Sequence, residues 1–103
     1  MFYGAKEERI MTIKINPRQV AAEALCAIAS EGAYNNRILH TLLRQNGAMS
    51  PKDRAFVTEI VNGTLRQIIY IDYVLDAFSS LPHEKMKPWV LAVLRSGIYQ
   101  ILF

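Results

Sequence analysis

The stretch Val20-Ala21-Ala22-Glu23-Ala24-Leu25-Cys26-Ala27-Ile28-Ala29 constrains the fold more than any other part of the chain. It follows Asn16-Pro17, a helix-start signal. An Asn side chain accepts from the first free amides, and Pro at the first helical position lacks only an N–H that would have no partner there. The helix is expected to run to about Ser30 and end near Gly32. Wound at the helical period, its small and apolar residues cover most of the circumference. Only Arg18, Gln19 and Glu23 leave a polar patch, near its start. A helix that is apolar nearly all round is enclosed by other helices. The chain is therefore expected to be an all-α bundle built about this segment.

The remaining punctuation agrees. A second helix is expected over about Tyr34 to Asn46, with Ile38, Leu39, Leu42 and Leu43 as its core face and Arg37, His40, Thr41 and Arg44 opposite. Ser50-Pro51-Lys52-Asp53 opens a third, with an anion in its positive first turn. Phe56, Val57, Ile60, Val61, Thr64, Leu65 and Ile68 carry its stripe. Gly63 lies inside it, where glycine costs roughly 1 kcal/mol relative to alanine. Close approach of another helix explains that cost, and Gly97 invites the same reading. Ile68-Ile69-Tyr70-Ile71 has the composition of a strand, yet Tyr70, Ile71, Val74, Leu75 and Phe78 fit helical spacing better. A bend near Gln67 to Tyr70 and a short fourth helix to about Ser79 are expected. After a loop through Ser80 to His83, a fifth helix opens around Met86 to Pro88 and carries Trp89, Val90, Val93, Leu94, Ile98, Ile101 and Leu102. Five helices with short connections make an all-α bundle.

At 103 residues, 51% of them apolar and 20% charged, the chain is sized for one domain with a single core. Residues 1–15, with the charge cluster Lys6-Glu7-Glu8-Arg9, read as a flexible leader, and Met11 offers a second start. The domain proper spans 16–103. Cys26, the single cysteine, excludes an internal disulfide and reads as a core thiol, since nothing near it in sequence would lower its pKa. No signal peptide is evident and no apolar run approaches the roughly 18 residues of a membrane span, so a cytoplasmic location is expected.

Catalytic constellations are not evident. His40 and His83 have no Cys, Asp or Glu at metal-ligand spacing, no Gly-rich phosphate loop is present, and Asp72 and Asp76 read as solvated. No cofactor is expected within this segment. A net charge of +3 permits contact with nucleic acid without requiring it. The chemical candidate is a basic face, Arg18, Arg37, His40 and Arg44. If the first two helices pack antiparallel, Arg18 approaches Arg44, and arginine forks suit phosphate. The same residues would serve equally as a solubilising surface. Tyr70, Tyr73, Trp89 and Tyr99 read as core. Tyr34, beside Asn35 and Asn36, stays open as a base-stacking residue.

Two long stretches carry a family resemblance. They are Asp53-Arg54-Ala55-Phe56-Val57-Thr58-Glu59-Ile60-Val61-Asn62-Gly63-Thr64-Leu65-Arg66 and Lys87-Pro88-Trp89-Val90-Leu91-Ala92-Val93-Leu94-Arg95-Ser96-Gly97-Ile98-Tyr99-Gln100-Ile101-Leu102-Phe103. With Asn16 to Ala21, they resemble the NusB-like domain at the N-terminus of the Sun/RsmB family, 16S ribosomal RNA cytosine-C5 methyltransferases that use S-adenosylmethionine. The resemblance implies an all-α fold of about seven helices in two small bundles. Five fit here, so a truncated C-terminus is expected, with the missing helices packing on the fourth and fifth and a methyltransferase domain further on. The family's domain is thought to assist RNA binding, which adds Arg66 to the candidates and gives Arg18 more weight. NusB itself, the antitermination factor, has an arginine-rich stretch before its first helix. Only Lys14 and Arg18 stand there in this chain, which favours the methyltransferase appendage.

Three functions compete: an RNA-binding and positioning module of a ribosomal RNA methyltransferase, an antitermination-type factor that binds RNA with a ribosomal protein, and a helical protein-interaction domain without an RNA role. The apolar helix from Lys87 to Phe103 has no capping residue and no basic last turn. It is expected either to pair with a second copy or to loosen at its end.

Overall fold

The computed structural model describes residues 16–31 and 36–103. The leader 1–15 and Tyr34 lie outside the described residues. Five α-helices follow one another: α1 (Pro17–Glu31), α2 (Asn36–Gln45), α3 (Pro51–Arg66), α4 (Ile68–Phe78) and α5 (Pro88–Leu102), with a 3-10 turn at His83–Lys85 before the last. No strand occurs among the described residues.

The starts are set by the expected local chemistry. Asn16 Oδ1 accepts from the Arg18 amide at 3.0 Å, and Ser50 Oγ accepts from the Asp53 amide at 3.1 Å. At Gln67 the φ/ψ pair is −105°, 19°, outside the helical values. Its N–H still donates to Gly63 O at 3.1 Å and its C=O accepts from Ile71 N at 2.9 Å. One residue therefore bends the chain while both helices continue. The strand-like composition of Ile68 to Ile71 loses to helical period, because Ile71 and Leu75, one turn apart, are the α4 residues that become buried.

α1 is the centre, as its all-round apolar surface demands. It packs most extensively on α5 and α3, and also on α2. Val20, Ala21, Ala24, Leu25 and Ile28 join Leu39 and Leu43 of α2, Val57, Ile60 and Val61 of α3, Ile71 of α4, and Ala92 and Tyr99 of α5 in one core. Cys26 is half-buried against it. Small residues along α1 let its neighbours come close, so the bundle is bound through many short contacts.

The two interior glycines part company. A β-carbon on Gly63 would overlap the ring of Tyr99, so α3 and α5 cross there as expected. A β-carbon on Gly97 would meet nothing within 4 Å. Gly97 lies on the outward side of α5, among exposed Val90, Leu94 and Ile101. The aromatic residues also depart from expectation. Tyr99 is buried, but Tyr70, Tyr73 and Trp89 are exposed. Every exposed large hydrophobic residue among the described residues falls in 69–103. Burial is thus concentrated toward α1, and the outer sides of α4 and α5 are bare.

Candidate nucleic-acid interface

α2 is amphipathic. Leu39 and Leu43 face the core, while Arg37, His40 and Arg44 are exposed on the other side. Spacings of three and four residues set them along one side of the helix. Their surroundings differ. Arg37 lines a groove of about 370 Å³ between α1 and α2, together with Glu23 and Glu31 of α1 and an apolar floor that includes Ala27 and Leu42. The basic face therefore borders two carboxylates at its start and carries Arg44 in its last turn.

Arg18 is held by other helices. Its Nε donates to Gln100 Oε1 of α5 at 2.7 Å, and its guanidinium carbon lies 5.4 Å from the centre of the Phe56 ring of α3. The side chain stays exposed, with the direction of its guanidinium fixed by Gln100. Arg66, at the end of α3, is also exposed and sits 3.6 Å from Glu59 Oε2. Exposed pairs of this kind contribute roughly 0–1 kcal/mol and open readily.

Four contacts escaped the sequence reading. Arg54 donates to Leu43 O at 2.9 Å, so α3 supplies a cationic cap to the last turn of α2. Glu59 accepts a short hydrogen bond from the Tyr99 hydroxyl. That bond, with burial, holds the Tyr99 phenol above its ordinary pKa, because ionisation would set two anions together. Asp72 is not simply solvated: Arg95 grips it with two 2.8 Å bonds, and both side chains are largely covered. His83 closes on Asp76, through its backbone N–H at 2.8 Å and its Nδ1 at 2.8 Å. These bonds, the backbone one first, hold the Asp76 carboxyl below the usual aspartate range. No spacing rule reveals such pairs, since the partners are 7 to 40 positions apart. Among the described residues no group of His, Cys, Asp and Glu is arranged to hold a metal ion, and no helix is long and apolar enough to cross a membrane.

The sequence profile of the NusB family matches residues 15–103. The chain belongs to the NusB family. Its curated relatives include the "Probable ribosomal RNA small subunit methyltransferase B" of Bacillus subtilis, 39% identical over 85% of this chain and 19% of the relative. The "Ribosomal RNA small subunit methyltransferase B" of Klebsiella pneumoniae is 27% identical over 90% of this chain and 21% of the relative. The Escherichia coli protein of the same name is 27% identical over 85% and 20%. This NusB-family chain thus spans about a fifth of the length of the curated relatives it matches. No solved structure matches it significantly. The resemblance to the NusB-like domain of these methyltransferases is borne out, and so is the all-α fold.

Proposed function

We propose that this chain is the non-catalytic RNA-binding and positioning module of a ribosomal RNA (cytosine-C5) methyltransferase. The observation that carries this reading is the 39% identity over 85% of the chain to a protein named as a probable ribosomal RNA small subunit methyltransferase. In this reading residues 16–103 act as the module, in the cytoplasm. S-adenosylmethionine and the catalytic groups belong to the part of such proteins outside the matched fifth. The RNA is held through phosphate contacts from Arg18, Arg37, His40, Arg44 and Arg66, with 16S ribosomal RNA as the expected substrate. The bare outer side of α5 takes protein: further helices of the same polypeptide, or a second copy.

The test is binding to a 16S-type hairpin across a salt series. Two to four phosphate contacts predict a log–log slope of roughly −2 to −4. Exchanging both Arg37 and Arg44 for Glu is expected to abolish binding. Unchanged affinity after that exchange would remove the α2 face from the proposal.

A further inference from the structure

The rings where α4 meets the end of α5 form a connected series. Tyr99 stacks on Phe103 at 5.5 Å between centres and 19° between planes. Phe103 meets Tyr70 edge-on, at 6.1 Å and 81°. Tyr70 lies against Tyr73 at 6.5 Å and 27°. The series rises from buried Tyr99 to open surface, since Tyr70 is 50%, Phe103 57% and Tyr73 70% exposed. At its inner end Glu59 links the Tyr99 hydroxyl to Arg66. Beside Arg66, at the Gln67 bend, an open groove of about 480 Å³ is lined by Asn62, Leu65, Arg66 and Ile68.

We propose that Tyr70 and Tyr73 of α4 form a stacking platform for unpaired RNA bases, with Arg66 taking the adjoining phosphate. The proposal deepens the RNA-binding reading and rests on it. Flat rings stack on any base through its π-face, and a cation at the edge of the strip meets the backbone. The charge pattern fits a nucleotide. Asp72, on the same helix, is taken up by Arg95, and Asp76 is engaged by His83. The carboxylates of α4 are thus each matched by a donor. The Arg66–Glu59 pair is exposed, at 3.6 Å, and such pairs contribute little, so Arg66 can turn to a phosphate while Glu59 stays on the Tyr99 hydroxyl. The other bare surface differs in kind. Val90, Leu94, Gly97 and Ile101 on the outside of α5 offer aliphatic side chains, a flat glycine and no charge, which suits a protein helix.

The platform is tested by titrating a labelled twelve-residue oligouridylate, the 16S-type hairpin, and a blunt RNA duplex against the wild-type chain and the Tyr70→Leu/Tyr73→Leu variant. Both positions are exposed and leucine keeps them apolar, so the fold, checked by circular dichroism, is unaffected. Aromatic stacking changes affinity by roughly 5- to 150-fold per base. The double variant is therefore expected to bind oligouridylate at least about tenfold more weakly and the duplex unchanged. Arg66→Gln is expected to lower the salt slope for oligouridylate by about one. Equal oligouridylate affinity for variant and wild type overturns the platform. If hairpin binding persists and still depends on Arg37 and Arg44, the module reading survives that failure. If the wild-type chain binds none of the three RNAs, both readings fall. Unchanged RNA binding in the double variant, together with weaker self-association than wild type in sedimentation equilibrium, would assign the rings to protein contact, which also overturns the proposal.

Discussion

A β-carbon on Gly63 has no space, because the Tyr99 ring occupies it. That ring is buried, stacked on Phe103 and hydrogen-bonded to Glu59, so it does not swing aside cheaply. Gly63→Ala is expected to destabilise the chain by about 1–3 kcal/mol, the usual cost of overpacking. Gly97→Ala is expected to stabilise it by about 0.5–1 kcal/mol, since its surroundings are open and alanine favours the helix. Urea denaturation of the two variants side by side decides the matter. A loss at Gly97 equal to that at Gly63 would mean that something covers Gly97. Both positions read alike in the sequence, as single glycines in apolar helices. What separates them is which side of its helix each occupies relative to a neighbour.

At the scale of the elements, helix starts were legible and helix ends and ties were not. Asn16-Pro17 and Ser50-Pro51 state their caps within three residues, because capping is local chemistry. The α2 end is different: its carbonyl at Leu43 is met by Arg54, eleven positions on. The connection before α5 is a second case. His83 binds Asp76 through backbone and ring, fastening the 3-10 turn to α4. The folded-state pKa of Asp76 is lowered by those bonds. An unfolded aspartate titrates near about 3.9, so the native state favours the ionised form. The tie contributes fully above that value and is lost as pH falls through the lower folded value. Asp76→Asn is therefore expected to lower Tm at neutral pH, with the gap to wild type closing as the pH is taken from about 5 toward 3. A gap that widens on acidification would contradict the assignment.

For the whole molecule, the distribution of exposed apolar side chains is the dominant fact. Val90, Leu94 and Ile101 are 46%, 38% and 82% exposed along one side of α5. Covering such side chains contributes about 1.5–3 kcal/mol each for full burial. We expect the isolated chain to self-associate through this side, with sedimentation equilibrium showing a concentration-dependent mass. Leu94→Glu is expected to shift the population to monomer, because it sets like charges across the contact. A wild-type chain that remains monomeric at millimolar concentration would sink the expectation.

The same distribution marks where sequence reading stops. The all-α class, the five helices, the central place of α1 and the break at Gln67 follow from period, punctuation and the small residues of α1, all of which act locally or through composition. Family membership was legible for the same reason, in long unbroken motifs. The tertiary structure alone decided which apolar residues find a partner. Tyr99 is covered because α3 presents a glycine opposite it. Tyr70, Tyr73 and Trp89, equally apolar and equally spaced, meet no such surface. The surroundings of Arg18, Arg37, His40, Arg44 and Arg66 were likewise set at this level. Arg18 is tied to α5 and α3, Arg37 shares a groove with two carboxylates, and Arg66 shares Glu59 with Tyr99. Charge and hydropathy belong to residues. Burial and pairing belong to the arrangement of helices around α1.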